Sequence, residues 1–234
     1  MPWLSGWKGK PSATPACKHP MVKQKSKPVK RAEAHTLIYK QAKFIDIPAH
    51  IGASILSMMD TWNSKAFVPE RPWDMEIRAT FSPDCFGLFV KHGVLPAGRV
   101  FAFMKGDIVI MPLDCQKRPP ATHYDVQPVS HCVYTDDTGV HEFACYIMGT
   151  GVREPFNGQL CNHTCVNPNC ELVNLVVALP ALSLPLIGVR SLVDIPEGGE
   201  CLTNYGGMLS DVPLDGFVPC LCAACDGAGK FLMV

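Results

Sequence analysis

Apolar residues in this chain fall into two spacings. From about Ile47 to Asn63, Ile51, Ile55, Met58, Met59 and Trp62 recur at helical intervals, and Pro48 stands where a first-turn proline is tolerated, which predicts one amphipathic helix with its Met and Trp side chains in the core. From Ile77 onward, short runs rich in Val, Ile and Phe alternate with glycine and proline: ATF, FGLFV, RVFAF, DIVIM, HCVY, FACYIM, ELVNLVVAL and SLVDI. These predict a mostly β domain with some helix. The stretch Leu175 to Val189, LVVALPALSLPLIGV, is too short to span a bilayer and holds Pro180 and Pro185, so it reads as buried strands and gives no case for a membrane. The segment from about Cys115 to Gln159 is less regular and is expected to hold an insertion between two halves of the sheet.

Residues 1 to about 33 differ in texture. They are rich in Lys, Pro and Ser and have little to bury, so a disordered tail is expected. Its basic cluster KQKSKPVKR, Lys23 to Arg31, reads equally as a nuclear localisation signal, a nucleic-acid contact or a merely solvated tail. Over the whole chain, lysine plus arginine equal aspartate plus glutamate at 21 each, which removes any overall electrostatic case for nucleic acid. The N-terminal residues lack the continuous apolar run of a secretory signal, so the 12 cysteines read as metal ligands or free thiols in a reducing compartment. A secreted, disulfide-rich glycoprotein is the reading this sets aside, although Asn162-His163-Thr164 fits the glycosylation sequon.

Chemistry concentrates in three places. CNHTCVNPNC, Cys161 to Cys170, is a polar loop in which Pro168 is expected to hold Asn167 extended. IPEGGECLTNYGG, Ile195 to Gly207, sets a turn, a short strand and a tyrosine flanked by asparagine and glycines. CLCAACDG, Cys220 to Gly227, brings Cys220, Cys222 and Cys225 into one tight turn, three donors of a tetrahedral zinc site that needs a fourth from elsewhere. Cys115, Cys132 and Cys145 read as small core residues.

Together these segments resemble the SET domain, the family of protein lysine methyltransferases that use S-adenosylmethionine. The family loop Asn-His-Ser-Cys-x-Pro-Asn is matched by Asn162, His163, Cys165, Pro168 and Asn169, with Thr164 for serine and one additional residue before the proline. Gly-Glu-Glu-Leu-x-x-Asn-Tyr-Gly is matched without gaps from Gly198 to Gly206, with Gly199 for one glutamate and Cys201 for leucine. CFGLFVKHGVLPAGRVFAFMKGDIVI, Cys85 to Ile110, resembles the N-terminal half of the domain, with Cys85 in place of the first glycine of its turn.

The resemblance implies a β-clip-like SET fold with a knot-like active site, in which the Asn162 loop is threaded through a neighbouring segment. It implies Tyr205 as the catalytic residue. It implies S-adenosylmethionine bound by Asn162 and His163, by Phe86, Gly87, Leu88 and Phe89 largely through backbone atoms, and by Leu221 near the adenine. It implies Zn2+ held by Cys165, Cys220, Cys222 and Cys225 in a post-SET-like segment; because the usual spacing Cys-x-Cys-x4-Cys is two residues shorter here, Cys170 in place of Cys165, or a Cys225 that fails to reach, are the alternatives. The expected partner is a protein with a lysine-bearing tail, a histone being the family expectation, and the expected compartment is the nucleus, with the cytoplasm as alternative. The chain then divides into the tail 1–33, a helical extension 34–80, a SET domain 81–211 and a zinc-binding segment 212–234. A catalytically silent SET-like interaction module is the alternative function. Tyr134, Tyr146 and Phe217 are candidate aromatics for a lysine channel.

Overall fold

The computed structural model describes residues 37–66, 73–80, 86–115, 126–149, 156–204, 209–210, 217–220, 222, 225 and 231–233. The tail 1–33, Cys85, Tyr205 and Leu221 lie outside them. In chain order the elements are β1 (Tyr39–Phe44), α1 (Ala49–Lys65), β2 (Met75–Ala79), β3 (Phe86–Val90), β4 (Val94–Leu95), β5 (Val100–Phe103), β6 (Gly106–Pro112), β7 (Val126–Asp136) and β8 (Gly139–Gly149). After a 3-10 turn at Gly158–Leu160 come β9 (Asn162–His163), β10 (Cys170–Ala178), β11 (Leu182–Ser191), β12 (Ile195–Pro196), β13 (Leu202–Thr203), β14 (Leu209–Ser210), β15 (Phe217–Pro219) and β16 (Phe231–Met233).

Among the described residues, eight strands pair in the order β1-β6-β8-β7-β11-β10-β13-β9, and β5 joins the same sheet on β11. The segment 115–159, expected to be less regular, carries the two longest strands, β7 and β8, 11 residues each, paired as a hairpin. Its turn is held by Asp136, whose carboxylate accepts from the Thr138 backbone N–H at 2.8 Å and hydroxyl at 2.6 Å and meets His141 Nε2 at 3.1 Å. The hydrogen bonds from Thr138, then that from His141, lower its pKa from 3.8 to about 2. The ionised form is thus favoured by folding. Its contribution is complete above the unfolded value and is lost as pH falls through about 2. The protection of hairpin amides, corrected for their intrinsic exchange rates, should therefore fall on acidification over that window, and Asp136→Asn should flatten the response.

The two strands of LVVALPALSLPLIGV differ. β11 is buried almost throughout, but β10 alternates towards solvent and Val176 is 78% exposed, which corrects the reading of both as buried. Pro185, which cannot donate to a ladder, falls between the residues of β11 that pair with β7 (Leu182 and Ser183) and those that pair with β5 (Gly188 to Arg190), so its missing N–H leaves no bond unmade on that side. SLVDI is not one strand: Ser191 closes β11, Ile195 opens β12, and Leu192 and Val193 between them are exposed.

Helix α1 begins immediately after Pro48 and buries Ile51, Ile55, Met59 and Trp62 on the sheet, as the helical spacing predicts. Trp62 stacks on Tyr39 with centroids 5.1 Å apart and donates from Nε1 to the Val177 carbonyl at 2.7 Å. Asn63 docks the start of β1: Oδ1 accepts from the N–H groups of Ile38 and Tyr39, and Nδ2 donates to the Tyr39 carbonyl, each at 3.1 Å. Removing that side chain strands three buried backbone groups. Asn63→Ala should cost about 3 kcal/mol, read as a lower urea midpoint at unchanged m.

Among the described residues the core has two large clusters and a small third one of Cys220, Cys222 and Cys225. The first lies between α1 and the sheet and includes Ile55, Trp62, Ile108, Cys132, Tyr134, Cys145 and Ile147. Tyr134 is thus a core residue stacked on His141, not a lining of an open channel. The second cluster contains Leu88, Leu95, Phe101, Cys161, Cys170, Val189 and Cys201, and it underlies the polar loop. Cys115, expected in the core, is only half-buried and lies 3.9 Å from Asp46. Among the described residues no helix is long and apolar enough to cross a membrane.

Candidate active site and metal centre

Strand β13 runs between two arms of the loop that contains CNHTCVNPNC. On one side it pairs parallel with β9, Leu202 opposite Asn162 and Thr203 opposite His163; on the other, Thr203 is opposite Cys170 of β10. Asn169 joins the loop to β13 with its side chain as well as its backbone. Oδ1 accepts from the Leu202 N–H and Nδ2 donates to the Glu200 carbonyl, both at 2.7 Å, while its own N–H donates to the Leu202 carbonyl at 3.1 Å. A side-chain amide here imitates a strand neighbour, so so short a strand is held on both edges.

The additional residue in the loop is absorbed by a local turn. Asn167 has φ 51°, left-handed and not extended. Proline disfavours the right-handed helical region for the residue before it, and asparagine enters the left-handed region more readily than most residues, so the constraint from Pro168 is met in another way than expected. Thr164, in the place of the family serine, donates its hydroxyl to the Val166 carbonyl at 2.9 Å, and Val166 turns outward.

Asn162 and His163 face opposite ways, as adjacent strand residues do. Asn162 Nδ2 donates to Glu200 Oε1 at 2.7 Å. Both crowd Gly87, where a Cβ would lie 2.4 Å from Glu200 Oε1, 2.8 Å from Thr80 Cγ2 and 3.0 Å from Asn162 Nδ2. Only glycine fits this cradle. Gly87 therefore sits on β3 beside Asn162, with Phe89 bridged to Glu200, while Phe86 packs against the second core cluster. Leu88 points into the second core cluster, fully buried, and its carbonyl accepts from the Cys201 N–H at 2.8 Å.

His163 turns its ring to the thiols, with Nε2 3.1 Å from Cys165 Sγ. Burial lowers its pKa and favours the neutral, ligand-competent imidazole. Cys165 Sγ lies 3.6 Å from Cys220 Sγ and 3.4 Å from Cys225 Sγ. Four sulfurs at about 2.3 Å from one zinc ion stand about 3.8 Å apart, so the spacing suits the ion. Burial raises Cys165 and Cys220, whereas Cys222, despite its own burial, is brought down to about 6 by hydrogen bonds led by one from the Cys165 backbone. One thiolate is thus favoured before any cation arrives. The donor set fits zinc.

Cys170 does not join this group. It is buried in the second core cluster with Cys161 and Cys201, its Sγ towards Asn169 Oδ1 at 3.3 Å, so Cys165 is the cysteine that stands with the C-terminal thiols. No disulfide joins the described cysteines. Sequence reasoning assigned no role to Glu200 or to the amide of Asn169. The available signal for Glu200 was its fit to the glutamate of the Gly-Glu-Glu-Leu pattern.

A mostly β chain whose polar loop is crossed by its own later strand has the architecture expected of a SET domain. A family model described as the SET domain matches residues 30–206, well over half of the chain, and the chain belongs to that family. Members are usually protein lysine methyltransferases that use S-adenosylmethionine. Among solved structures, similar chains include a SET8 protein of Cryptosporidium, at 16% identity and TM-score 0.38, covering 70% of each chain. Another is a Plasmodium falciparum protein provisionally named a histone methyltransferase, at 16% identity and TM-score 0.36, covering 57% of this chain and 98% of that one. No curated protein sequence matches the chain.

Proposed function

We propose that this chain transfers a methyl group from S-adenosylmethionine to the side-chain amine of a lysine in a protein, with Tyr205 as the catalytic residue. The observation that carries the reading is the crossing of β13 between β9 and β10, since Thr203, two residues before Tyr205, is in register with His163. Asn162, Gly87, Phe86 and Phe89 hold the cofactor, and Leu221 packs near its adenine. The close packing at Gly87 supports this, because the absent side chain lets β3 lie directly against the Asn162 amide and Glu200.

S-adenosylmethionine supplies a methyl carbon on a positive sulfur, which a free amine displaces in line. A lysine is almost fully protonated near neutral pH, so an apolar channel that disfavours the ammonium makes the amine available. The Tyr205 hydroxyl orients that amine, and positioning then supplies much of the rate. Glu200 accepts the Asn162 Nδ2 proton, which leaves Oδ1 to face the ligand. Glu200→Ala should raise the cofactor Kd about fivefold, the worth of one orienting hydrogen bond near 1 kcal/mol, as read by calorimetric titration.

Residues 34–80 are read as an extension, 81–211 as the SET domain and 212–234 as the segment whose cysteines, with the polar loop, bind Zn2+ and dock the C-terminal residues over the cofactor. α1 and β1 of the extension are nonetheless built into the same core and sheet as β6 and β11. A histone tail is the proposed substrate and the nucleus the proposed compartment, supported by the basic cluster Lys23 to Arg31. The test gives purified protein labelled S-adenosylmethionine with histones and mixed cell proteins. Transfer to a lysine is expected. No transfer, together with no cofactor binding in titration, overturns the enzyme and leaves a SET-like interaction module.

A further inference from the structure

The thiol cluster offers five donors where a tetrahedral ion takes four. Among the described residues, the group whose donor atoms all lie within 4.8 Å of one another is His163, Cys165, Cys220 and Cys222. Cys225 stands outside that group and touches it through Cys165 Sγ at 3.4 Å and through the Cys220 thiol. We propose that His163 is a metal ligand, so that zinc is held by three cysteines and one histidine, with Cys225 donating its thiol proton to the Cys165 sulfur from outside the coordination sphere. This inference rests on reading the cluster as a zinc site.

The backbone explains why the ring is there. His163 is fixed against Thr203 in the β9–β13 pairing, and the next residue, Thr164, donates its N–H to the Thr203 carbonyl at 2.9 Å. Side chains along an extended segment alternate, so Asn162 turns to Gly87 and Glu200 while His163 and Cys165 share the other face. The C-terminal cysteines stand in a segment two residues shorter than the family spacing. Cys225 donates its backbone N–H to the Cys222 carbonyl at 3.0 Å, which ties it into the tight turn of a Cys-x-x-Cys segment. Imidazole nitrogen replaces the thiolate that this short segment would otherwise contribute. A metal ion so bound grips one face of the same two-residue strand whose other face carries Asn162, and it fixes the loop from behind.

The full chain, purified with its bound metal, is examined by X-ray absorption at the zinc edge and, after exchange, by the electronic spectrum of the cobalt form. The expected sphere is three sulfurs at about 2.3 Å and one nitrogen at about 2.0–2.1 Å. His163→Ala should lose the nitrogen and release zinc to a competing chelator at least about tenfold more readily. Cys225→Ser should keep the three-sulfur, one-nitrogen sphere. A four-sulfur sphere in the unmodified chain, which requires no variant to fold, overturns the role of His163 and leaves the zinc site standing. A chain that retains no metal and takes up neither zinc nor cobalt overturns both.

Discussion

Tyr205→Phe should lower kcat by about 10²–10³-fold, the usual cost of removing one preorganised hydrogen-bond donor from a reacting centre, while the cofactor Kd changes less than about twofold. The split matters. A tyrosine that merely packs would lose little on becoming phenylalanine, since ring and volume are kept and only the hydroxyl goes. A hydroxyl that orients the lysine amine acts in the transition state, so its loss appears in kcat and not in cofactor binding. Single-turnover transfer from labelled S-adenosylmethionine measures the first quantity and equilibrium titration the second. Undiminished transfer by the variant removes Tyr205 from its role.

Gly87→Ala should weaken cofactor binding by about tenfold, the worth of one or two orienting hydrogen bonds at about 1 kcal/mol each, and should cost about 1 kcal/mol of stability, the low end for overpacking. The added methyl would meet Glu200 Oε1 at 2.4 Å and Thr80 Cγ2 at 2.8 Å. The glutamate tip can swing away cheaply, so the fold survives. Its departure releases Asn162, which loses its 2.7 Å hydrogen bond, and the methyl fills the cradle itself. Because the clash acts through Glu200, the double variant with Glu200→Ala should bind more tightly than the sum of the two single losses requires. Strict additivity in the titration would mean that the two residues act separately and that the cradle is not a unit.

Much of the scaffold was legible in the chain because it depends on local spacing. The helix 49–65 follows from apolar residues three and four apart, and the runs FGLFV, DIVIM and FACYIM lie in strands because their side chains suit a pleated, buried surface. Misreadings cluster where a partner decides the outcome. β10 and β11 have similar composition, yet β11 is flanked on both sides and β10 opens to solvent, which no period-2 pattern distinguishes. β7 and β8 looked irregular because glycine, proline and polar residues interrupt them, and pairing with β6 and β11 extends them through the interruptions.

For the site, the residue types and their order were available from the sequence: an Asn-His loop, a tyrosine after a short strand, and three cysteines in one turn. Order along the chain cannot say which distant groups meet. Cys165 and Cys170 are five residues apart in the same loop and chemically alike; the fold buries Cys170 beside Cys161 and Cys201 and brings Cys165 to within 3.6 Å of Cys220. Glu200 gains a role only because β3 and β13 bring Gly87 and Asn162 against it. The sequence by itself determined the family, through the resemblance of its motifs, and the strand-rich class and inventory of donors, which are set by short-range periodicity and composition. The direction in which each donor points was decided by the crossing of β13 through the loop, because side-chain direction depends on the pairing of strands 30 or more residues apart, which the tertiary structure alone supplies.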